Sequence, residues 1–491
     1  MAKLKNEYDV IIVGSGIAGL YAALQFDKNT KVALISKGPE GICGSSLAQG
    51  GVAAVLQHDS DSFDFHVEDT FIAGGFKNDP ESVETVIHEG PQDVRKIIDF
   101  GVDLDRDTDG ELLKTLEGGH SRRRIVHHRD QTGNEIVVKL TASVRERENI
   151  DIVYDTLIFN LEKAGGGFRA DIVNSDNEPQ SIFSSFVILA TGGIGRVYRY
   201  TTNPVVSTGD GVRLASSLGA KIKELHYIQF HPTAFNSPDC SEQFLVSEAV
   251  RGEGAKLLNC HFEQFMDRYD DRLELAPRDV VSKAVMKEAA RTGSNKFYLD
   301  IVYKGEDFIK THFPAISAAC LERGYDMTKE PIPVFPCHHY LMGGIDVDLN
   351  ARTSVPRLYA AGECARTGLH GGNRLASNSL PEALVFGRRA AQDIIKCMNK
   401  GMGGVKVEDY TPDISGEEYN ENYSDEIRSI MQDAYFVVPN KEKMVSGLKR
   451  VKEIEEALNS KKYAINRDYT EAQSLACVAR IVLEGALKEN E

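Results

Sequence analysis

The chain has 491 residues, of which 42% are hydrophobic and 26% are charged, as is typical of a soluble globular protein with two or three domains. Its net charge of −16 makes general binding to a nucleic-acid backbone unfavourable. The eight cysteines form no CxxC pair, so we expect no metal site and a reducing compartment. Because no run of about 20 apolar residues occurs, we expect a cytoplasmic protein that is not embedded in a membrane.

The first predicted elements form a β-α-β unit. "YDVIIVGSGIAGLYAALQF" predicts a buried strand, a glycine-rich turn and a helix, and "KVALISK" (31–37) predicts a second parallel strand. Gly14, Gly16 and Gly19 form GxGxxG at the turn, where they allow a tight turn, close approach to a pyrophosphate and close helix packing. The acidic ribose ligand usual for NAD is absent, because Ser36 and Lys37 end the second strand. Ser36 is suited to bonding a ribose and Lys37 to lying near a phosphate.

Three further glycine-rich segments favour FAD as the dinucleotide. They are "GSSLAQGGVAA" (44–54), "LATGG" (189–193) and "AAGE" (360–363), and together they line an extended ligand at several points. Flexible loops account for any one segment, but not for all of them in this order. We assign the segments' roles by chemistry: the flavin ring is approached by Gln49, Gly50 and Gly51, phosphates by Ser45 and Ser46, and ribose hydroxyls by Glu363.

"EGGHSRRRIVHHRDQTG" (117–133) places three consecutive arginines and three histidines in an acidic chain. A nucleic-acid patch, a solvated charge run and an anion-binding active site all fit this composition. The net charge opposes the first interpretation.

Later segments change in character. "KAGGGFRADIVNSDNEPQ" (163–180) predicts a hairpin, and the region around 225–340, with the helix pattern "RDVVSKAVMKEAAR", predicts an inserted second domain. A glycine-rich link near residue 405 precedes two helical patterns, "KEKMVSGLKRVKEIEEALNS" and "TEAQSLACVARIVLEGALK". These predict a small helical domain at the end of the chain.

Five motifs carry a resemblance to a known family: "GSSLAQGG", "QFHPT", "RGEGA", "ELAPRD" and "LHGGNRLASNSL". Over about residues 8–400 the chain resembles the succinate dehydrogenase/fumarate reductase flavoprotein family. The resemblance implies an α/β fold with a Rossmann-like FAD-binding domain in two segments (1–224 and 341–404), an inserted α+β capping domain (225–340) and a C-terminal helical domain (405–491). Gly44 occupies the position of the histidine that binds FAD covalently in membrane-complex members, which implies non-covalent FAD.

The same motifs imply the site residues. We expect the acid–base residue to be Arg278, relayed through Glu248 and Arg251, although an ordinary ion pair between Glu248 and Arg251 is the alternative. The expected substrate ligands are Glu117, His231, Ser247, His339 and Arg374, with His120 and Ser121 supporting them. The resemblance completes the expected FAD contacts with Ser15, Ile17, Ala18, Gly44, Ala48, Thr191, Gly192, Asp210, Asn378, Ser379 and Leu380.

Within the family, the chain is most similar to members that oxidise L-aspartate to iminoaspartate with O₂, giving H₂O₂, or with fumarate as electron acceptor. This reaction is the first step of de novo NAD biosynthesis and implies functional coupling to quinolinate synthase, with the enzyme a monomer or weak homo-oligomer. The alternative is a soluble fumarate reductase or succinate dehydrogenase. We expect Glu117 to discriminate, since a carboxylate attracts the ammonium group of aspartate and repels succinate. A nucleic-acid-linked flavoprotein is a third hypothesis, based on Arg122, Arg123 and Arg124.

Overall fold

A computed structural model describes residues 4–56, 61–237 and 239–489. Its strands are β1 Glu7–Val13, β2 Val32–Ile35, β3 Val52–Ala53, β4 Lys114–Thr115, β5 Ile125–Val126, β6 Ile150–Val153, β7 Leu157–Ala164, β8 Gly167–Val173, β9 Pro179–Leu189, β10 Ile222–Lys223, β11 Ile228–Phe235, β12 Lys256–Leu258, β13 Phe297–Asp300, β14 Ile332–Leu341, β15 Gly344–Asp346, β16 Leu358–Ala360 and β17 Ala365–Arg366. Its α-helices are α1 Ile17–Ala23, α2 Phe63–Ala73, α3 Pro80–Asp99, α4 Thr132–Arg145, α5 Asp210–Ser217, α6 Glu248–Gly252, α7 Arg278–Thr292, α8 Glu306–His312, α9 Pro314–Glu322, α10 Ser379–Asn399, α11 Tyr423–Ala434, α12 Lys441–Ser460 and α13 Arg467–Glu489.

The main sheet contains seven strands in the order β6-β2-β1-β9-β8-β7, and β16 also pairs with β9. Strands β6, β2, β1, β9 and β16 are parallel, while β8 and β7 join as antiparallel neighbours. The predicted hairpin is therefore confirmed, and its strands extend the main sheet. The carboxyl ends of β1, β9 and β16 meet at one edge, which is where ligands bind in open α/β sheets.

A second, antiparallel sheet is formed by β11-β14-β13-β12, with helix α7 packed against β11. One hydrophobic core, built from residues between Phe235 and Val334, lies within this segment. Strand β11 carries the "QFHPT" motif and α7 begins at Arg278, so this sheet brings two of the sequence motifs to one place. The structure also contains two small three-stranded sheets, β3-β5-β4 and β10-β15-β17.

Helices α11, α12 and α13 pack against one another and against the main-sheet layer. Leu475, Val478 and Val482 of α13 belong to the same hydrophobic core as Val212 and Leu214 of α5. The C-terminal helices thus share a core with the dinucleotide-binding part of the chain. Across the described ranges, the helices include none whose length and apolar character would let it cross a membrane.

Candidate active site

A long cleft begins at the carboxyl edge of the main sheet and reaches the second sheet. Glycines and small residues after β1, β9 and β16 line one end, which we call the cofactor end. Charged side chains from α6, α7 and the loop before α10 line the other, which we call the substrate end.

Backbone packing shapes the cofactor end. Gly14 has a φ of +114°, and a Cβ atom placed there would lie 2.1 Å from the Ala190 carbonyl oxygen. Only glycine fits between β1 and β9 at this turn, so the strands stay close and the amides of the following helix remain accessible. The Ser45 hydroxyl accepts a hydrogen bond from the Ile17 amide, which ties the second glycine-rich segment to α1.

Nineteen of the predicted FAD contacts line this cleft: Gly14, Ser15, Gly16, Ile17, Ala18, Ser36, Lys37, Gly44, Ser45, Ala48, Gln49, Gly50, Gly51, Thr191, Gly192, Asp210, Glu363, Ser379 and Leu380. Three do not line it. Gly19 packs against the Gly14 carbonyl, the Ser46 hydroxyl donates to the Cys43 carbonyl, and the Asn378 amide bonds with His66 and Thr70.

The residues of the cofactor end fit a dinucleotide. Buried oxygens of Gln49 and Thr191 have no hydrogen-bond partner within the described part of the chain, and both residues line the cleft. Such atoms require a partner, which a bound polar ligand supplies. Gly44 carries no side chain that could form a covalent bond to a flavin.

Two charged residues at the cofactor end, Lys37 and Glu363, already contact other protein groups. The Lys37 ammonium is held by Asp210 at 2.7 Å and by Glu471 of α13 at 2.9 Å. The Glu363 carboxylate accepts a hydrogen bond from the Leu341 amide at 3.0 Å. Burial raises the pKa of Glu363 to about 7, and the Leu341 bond opposes that rise.

At the substrate end, two arginines converge on one glutamine. Gln229 Oε1 accepts from Arg278 at 2.9 Å and from Arg374 at 3.2 Å. Its amide nitrogen donates to Asn373 and to the Arg374 carbonyl, which fixes the orientation of the amide. Gln229 therefore sets the spacing of two guanidinium groups, a geometry suited to a molecule with two carboxylates.

Arg278 belongs to a buried charge chain. Its Nε donates to Glu248 at 2.5 Å, and the other Glu248 oxygen lies 3.3 Å from Arg251. Burial opposes ionisation of Glu248, but the two arginines outweigh it and lower the pKa of this carboxylate. Burial also lowers the pKa of Arg251. Arg251 lies behind Glu248 and does not line the cleft.

Both predicted histidines are neutral. Arg374 donates to His339 Nε2 at 3.1 Å, so the proton of His339 resides on Nδ1 and is donated to Thr202 at 2.7 Å. The Thr233 amide donates to His231 Nδ1, which leaves the proton on a buried Nε2 that lacks a partner among the described residues. Burial and the adjacent Arg278 hold both pKa values well below the ordinary histidine value. His339 lines the cleft and His231 packs behind it, with ring centroids 4.9 Å apart.

Glu117 is a buried carboxylate in the cleft wall, with 4% of its surface exposed. The Ser377 hydroxyl donates to it at 2.6 Å. Burial raises its pKa, and the Ser377 bond opposes this rise. Ser247, the remaining predicted substrate ligand, also lines the cleft, and its hydroxyl caps α6 by accepting from the Ala249 amide.

The three consecutive arginines have different environments. Arg124 is fully buried and pairs with Asp61 at 2.8 Å and Asp69 at 2.5 Å, so the interpretation of the whole run as a solvated surface is wrong at this position. Arg122 and Arg123 are exposed, and Arg122 stacks on Phe65. Ser121 donates to Asp69 and supports the same buried pair.

Sequence reasoning missed Gln229, Ser377 and Thr202 as members of the substrate end. Gln229 and Ser377 lie inside the quoted motifs "QFHPT" and "LASNSL". The motifs drew attention to their charged residues, whereas these neutral side chains orient the charged ones. A search for polar side chains beside each charged motif residue would have found the first two, but Thr202 lies in no motif.

Comparisons with known proteins agree with this geometry. The FAD binding domain family matches residues 9–380 of the chain. The chain is 45% identical to the L-aspartate oxidase of Clostridium perfringens, covering 80% of this chain and 87% of that protein. It is 40% identical to L-aspartate oxidase 1 of Ralstonia nicotianae, covering 99% and 93%. Escherichia coli quinol fumarate reductase superposes with a TM-score of 0.90 at 30% identity, covering 99% and 90%.

The fold and the cleft thus define an FAD-binding flavoprotein with the architecture of the fumarate reductase flavoproteins, which confirms the predicted α/β class and the predicted cofactor. Among these flavoproteins, the identities over most of its length show that the chain belongs to the L-aspartate oxidase family.

Proposed function

We propose that this chain oxidises L-aspartate to iminoaspartate, with O₂ or fumarate as electron acceptor. The observation that carries the proposal is the buried Glu117 carboxylate, which lines the same cleft as Arg278 and Arg374. A C4 dicarboxylate requires two cationic contacts, and an amino acid requires in addition one anionic contact for its ammonium group. The names of the relatives reported above support the same substrate.

The charges of the site favour aspartate over succinate. Arg278 and Arg374 have a common partner in Gln229, so their relative position is fixed before substrate binds. Glu117 in a buried site repels a second dianion but attracts an ammonium group, and that ammonium would stabilise its ionised form. We assign the carboxylate contacts to Arg374, His339 and Ser247, with His231 supporting His339 from behind, and the ammonium contact to Glu117.

FAD, when bound, supplies the two-electron chemistry, and the residues Gly14 to Ala18, Ser45, Gln49 to Gly51 and Thr191 would hold it. The protein orients the substrate and moves a proton. In the fumarate-reducing direction we assign to Arg278 the proton that is donated to the fumarate carbon. Arg278 then regains a proton from Glu248, and Glu248 from Arg251, across contacts of 2.5 Å and 3.3 Å. A buried carboxylate between two guanidinium groups permits such a relay, because one of its oxygens contacts each guanidinium group and the side chain does not have to move.

Iminoaspartate hydrolyses readily in water, so a second enzyme must consume it quickly. We propose coupling to quinolinate synthase within de novo NAD biosynthesis, in a reducing compartment such as the cytoplasm, which the eight free cysteines support. We propose a monomer or weak homo-oligomer. Size-exclusion chromatography with light scattering, alone and with quinolinate synthase, tests both the oligomeric state and a physical complex.

The direct test is anaerobic bleaching of the bound flavin with L-aspartate, D-aspartate, L-glutamate and succinate. We expect rapid bleaching by L-aspartate alone, followed by fumarate-dependent reoxidation or by peroxide formation when air is admitted. Bleaching by succinate with none by L-aspartate would establish the succinate dehydrogenase alternative instead.

The Glu117→Gln variant tests the residue that carries the proposal. We expect kcat/KM for L-aspartate to fall by roughly 10- to 100-fold, as is usual when the charged partner of a buried ion is removed. Fumarate reduction should be retained, because fumarate has no ammonium group. Equal loss of both activities would show that Glu117 does not select the substrate.

A further inference from the structure

Ser377 occupies an unusual backbone position beside Glu117. Its φ is +60°, in the left-handed region that residues other than glycine rarely adopt. In this conformation its hydroxyl donates to Glu117 at 2.6 Å. Both side chains face Gly50, where a Cβ atom would lie 2.8 Å from Glu117 Oε1 and 3.4 Å from the Ser377 hydroxyl. A strained serine at a functional carboxylate needs surroundings that hold it there.

Hydrogen bonds hold the turn around Ser377 at three consecutive residues, Ala376, Ser377 and Asn378. The Ser377 carbonyl accepts from the Ala53 amide at 3.1 Å. On one side, the Ala376 carbonyl accepts from His120 Nε2 at 2.9 Å. On the other side, Asn378 is fully engaged by His66 and Thr70. Each of these contacts is buried, so the turn cannot relax without breaking one of them.

His120 is itself held in one orientation and one tautomer. Arg124 donates to its Nδ1 at 3.0 Å, so Nδ1 must accept and the proton must reside on Nε2, which points at Ala376. Burial lowers the pKa of His120 to about 4, which keeps the ring neutral near pH 7. Arg124 has bidentate contact with Asp61 and a further bond to Asp69, so it cannot turn away.

We propose that Ser377 is a positioning residue that holds Glu117 ionised and directed at the substrate ammonium group, and that His120, oriented by Arg124, fixes Ser377 in the backbone conformation this role requires. The proposal deepens the proposed function and rests on the role of Glu117 given there. It also assigns a purpose to the arginine-rich segment, because Arg124 acts on substrate choice through His120 and Ser377 without touching substrate.

The surroundings of Glu117 explain why a hydroxyl donor matters. Burial and the nearby Glu248 both raise the pKa of Glu117, while Ser377, Arg278 and Arg374 lower it. Arg278 is already bound to Glu248 and Arg374 to His339, so both arginines are partly committed elsewhere. Among the described residues, the Ser377 hydroxyl is the side-chain donor seen to bond Glu117 directly. Its loss should therefore shift Glu117 towards the protonated form.

The experiment compares the FAD-loaded enzyme with four single test variants and one control variant. Ser377→Ala removes the hydroxyl and keeps the backbone strain, whereas Ser377→Gly removes both. His120→Gln preserves a donor to Ala376 and an acceptor for Arg124, whereas His120→Leu removes them. Arg123→Gln, at an exposed neighbour of Arg124, controls for charge. Melting temperatures of all variants are measured first, so that unfolded protein is not scored as loss of function.

The readout is the ratio of kcat/KM for L-aspartate to that for fumarate, measured between pH 5 and 9. We expect Ser377→Ala to lower this ratio about 10-fold, mainly through KM for aspartate, since one hydrogen bond to a charged group is lost. The acidic limb of the aspartate profile should move to higher pH, because Glu117 must be ionised and its pKa has risen. Ser377→Gly should behave likewise, His120→Leu should follow Ser377→Ala, and His120→Gln should restore the native ratio.

Two outcomes overturn the inference. One is an unchanged ratio and pH profile in folded Ser377→Ala, while Glu117→Gln remains selective; the proposed function then stands without this inference. The other is an effect of Ser377→Ala that is equally large in the Glu117→Gln background, which would show that Ser377 acts independently of Glu117. Absence of aspartate turnover in the native enzyme is a separate result, which would remove the proposed function and the inference together.

Discussion

The two ends of the cleft are built by different means. The cofactor end consists of backbone, glycines and small side chains that follow three neighbouring parallel strands. The substrate end consists of charged side chains from widely separated segments, including Glu117, Glu248, Arg278 and Arg374. Ser377 orients Glu117, Gln229 orients the two arginines, and Glu248 is held by Arg278 and Arg251. One end recognises its ligand through shape and amide groups, and the other through balanced buried charge.

This difference predicts opposite responses to substitution. At the cofactor end, a methyl group added at a glycine that packs against neighbouring backbone, such as Gly14, should weaken FAD binding because backbone atoms cannot yield. At the substrate end, a change of charge or geometry should alter turnover while the cofactor stays bound. Each of the following variants tests one side of this contrast, and they are ordered by the expected size of the effect.

Gly14→Ala should have the largest effect, because loss of FAD removes every flavin-dependent activity of the enzyme. The new Cβ would lie 2.1 Å from the Ala190 carbonyl oxygen, at a φ of +114° that alanine does not tolerate. We expect FAD affinity to fall by at least roughly 100-fold, which corresponds to about 3 kcal/mol. Fluorescence titration of the FAD-free protein with FAD measures this affinity.

Gly403→Ala provides the matched control, since a Cβ there meets no atom within 4 Å. It should bind FAD as the native protein does. Equal affinity in Gly14→Ala and the native chain would contradict the described packing of β1 against β9.

Arg278→Lys should produce the opposite pattern at the substrate end. Lysine keeps the charge but cannot donate to Glu248 and Gln229 in the planar arrangement of a guanidinium group. We expect turnover to fall by roughly 10²–10⁴-fold, as is usual for a displaced acid–base group, with FAD affinity unchanged. Anaerobic rapid mixing measures flavin reduction, and the titration used for Gly14 measures FAD affinity.

Arg272→Lys is the matched control, because this exposed arginine pairs only with Asp270 on the same loop in the described structure. Loss of FAD from Arg278→Lys, or a similar loss of turnover in both variants, would count against the assignment of Arg278.

The contrast between the two ends also explains which parts of the fold and the site could be predicted from the sequence. Local sequence patterns predict strands β1, β2 and β9, helix α12 and the GxGxxG turn. The turn is predictable because the tight backbone geometry at the end of the strand requires glycine. The substrate end required contacts between residues more than 100 positions apart, such as Glu117 with Ser377. The sequence shows which residues at the substrate end are charged. It does not predict the burial of Arg124 or the contacts of Gln229 with two arginines, since no local pattern encodes a tertiary contact.

Glu363 is the exception at the cofactor end, and it gives the smallest expected effect. Burial raises its pKa to about 7, so the folded, FAD-free protein holds this proton more tightly than the unfolded chain, whose glutamates titrate near 4.3. The contribution of Glu363 protonation to the free energy of unfolding is therefore fully present below about pH 4.3 and is lost as the pH rises through about 7.

The Glu363→Gln variant mimics the protonated carboxyl and should remove this pH dependence. Its free energy of unfolding should exceed that of the native protein by about 1–3 kcal/mol at pH 8. Thermal melts of the FAD-free proteins from pH 5 to 8 measure the difference, and the exposed Glu456→Gln should show no such divergence from the native curve. If the native and Glu363→Gln curves run parallel across this range, burial does not raise the pKa of the Glu363 carboxyl in the FAD-free protein, and the proposed exception at the cofactor end is wrong.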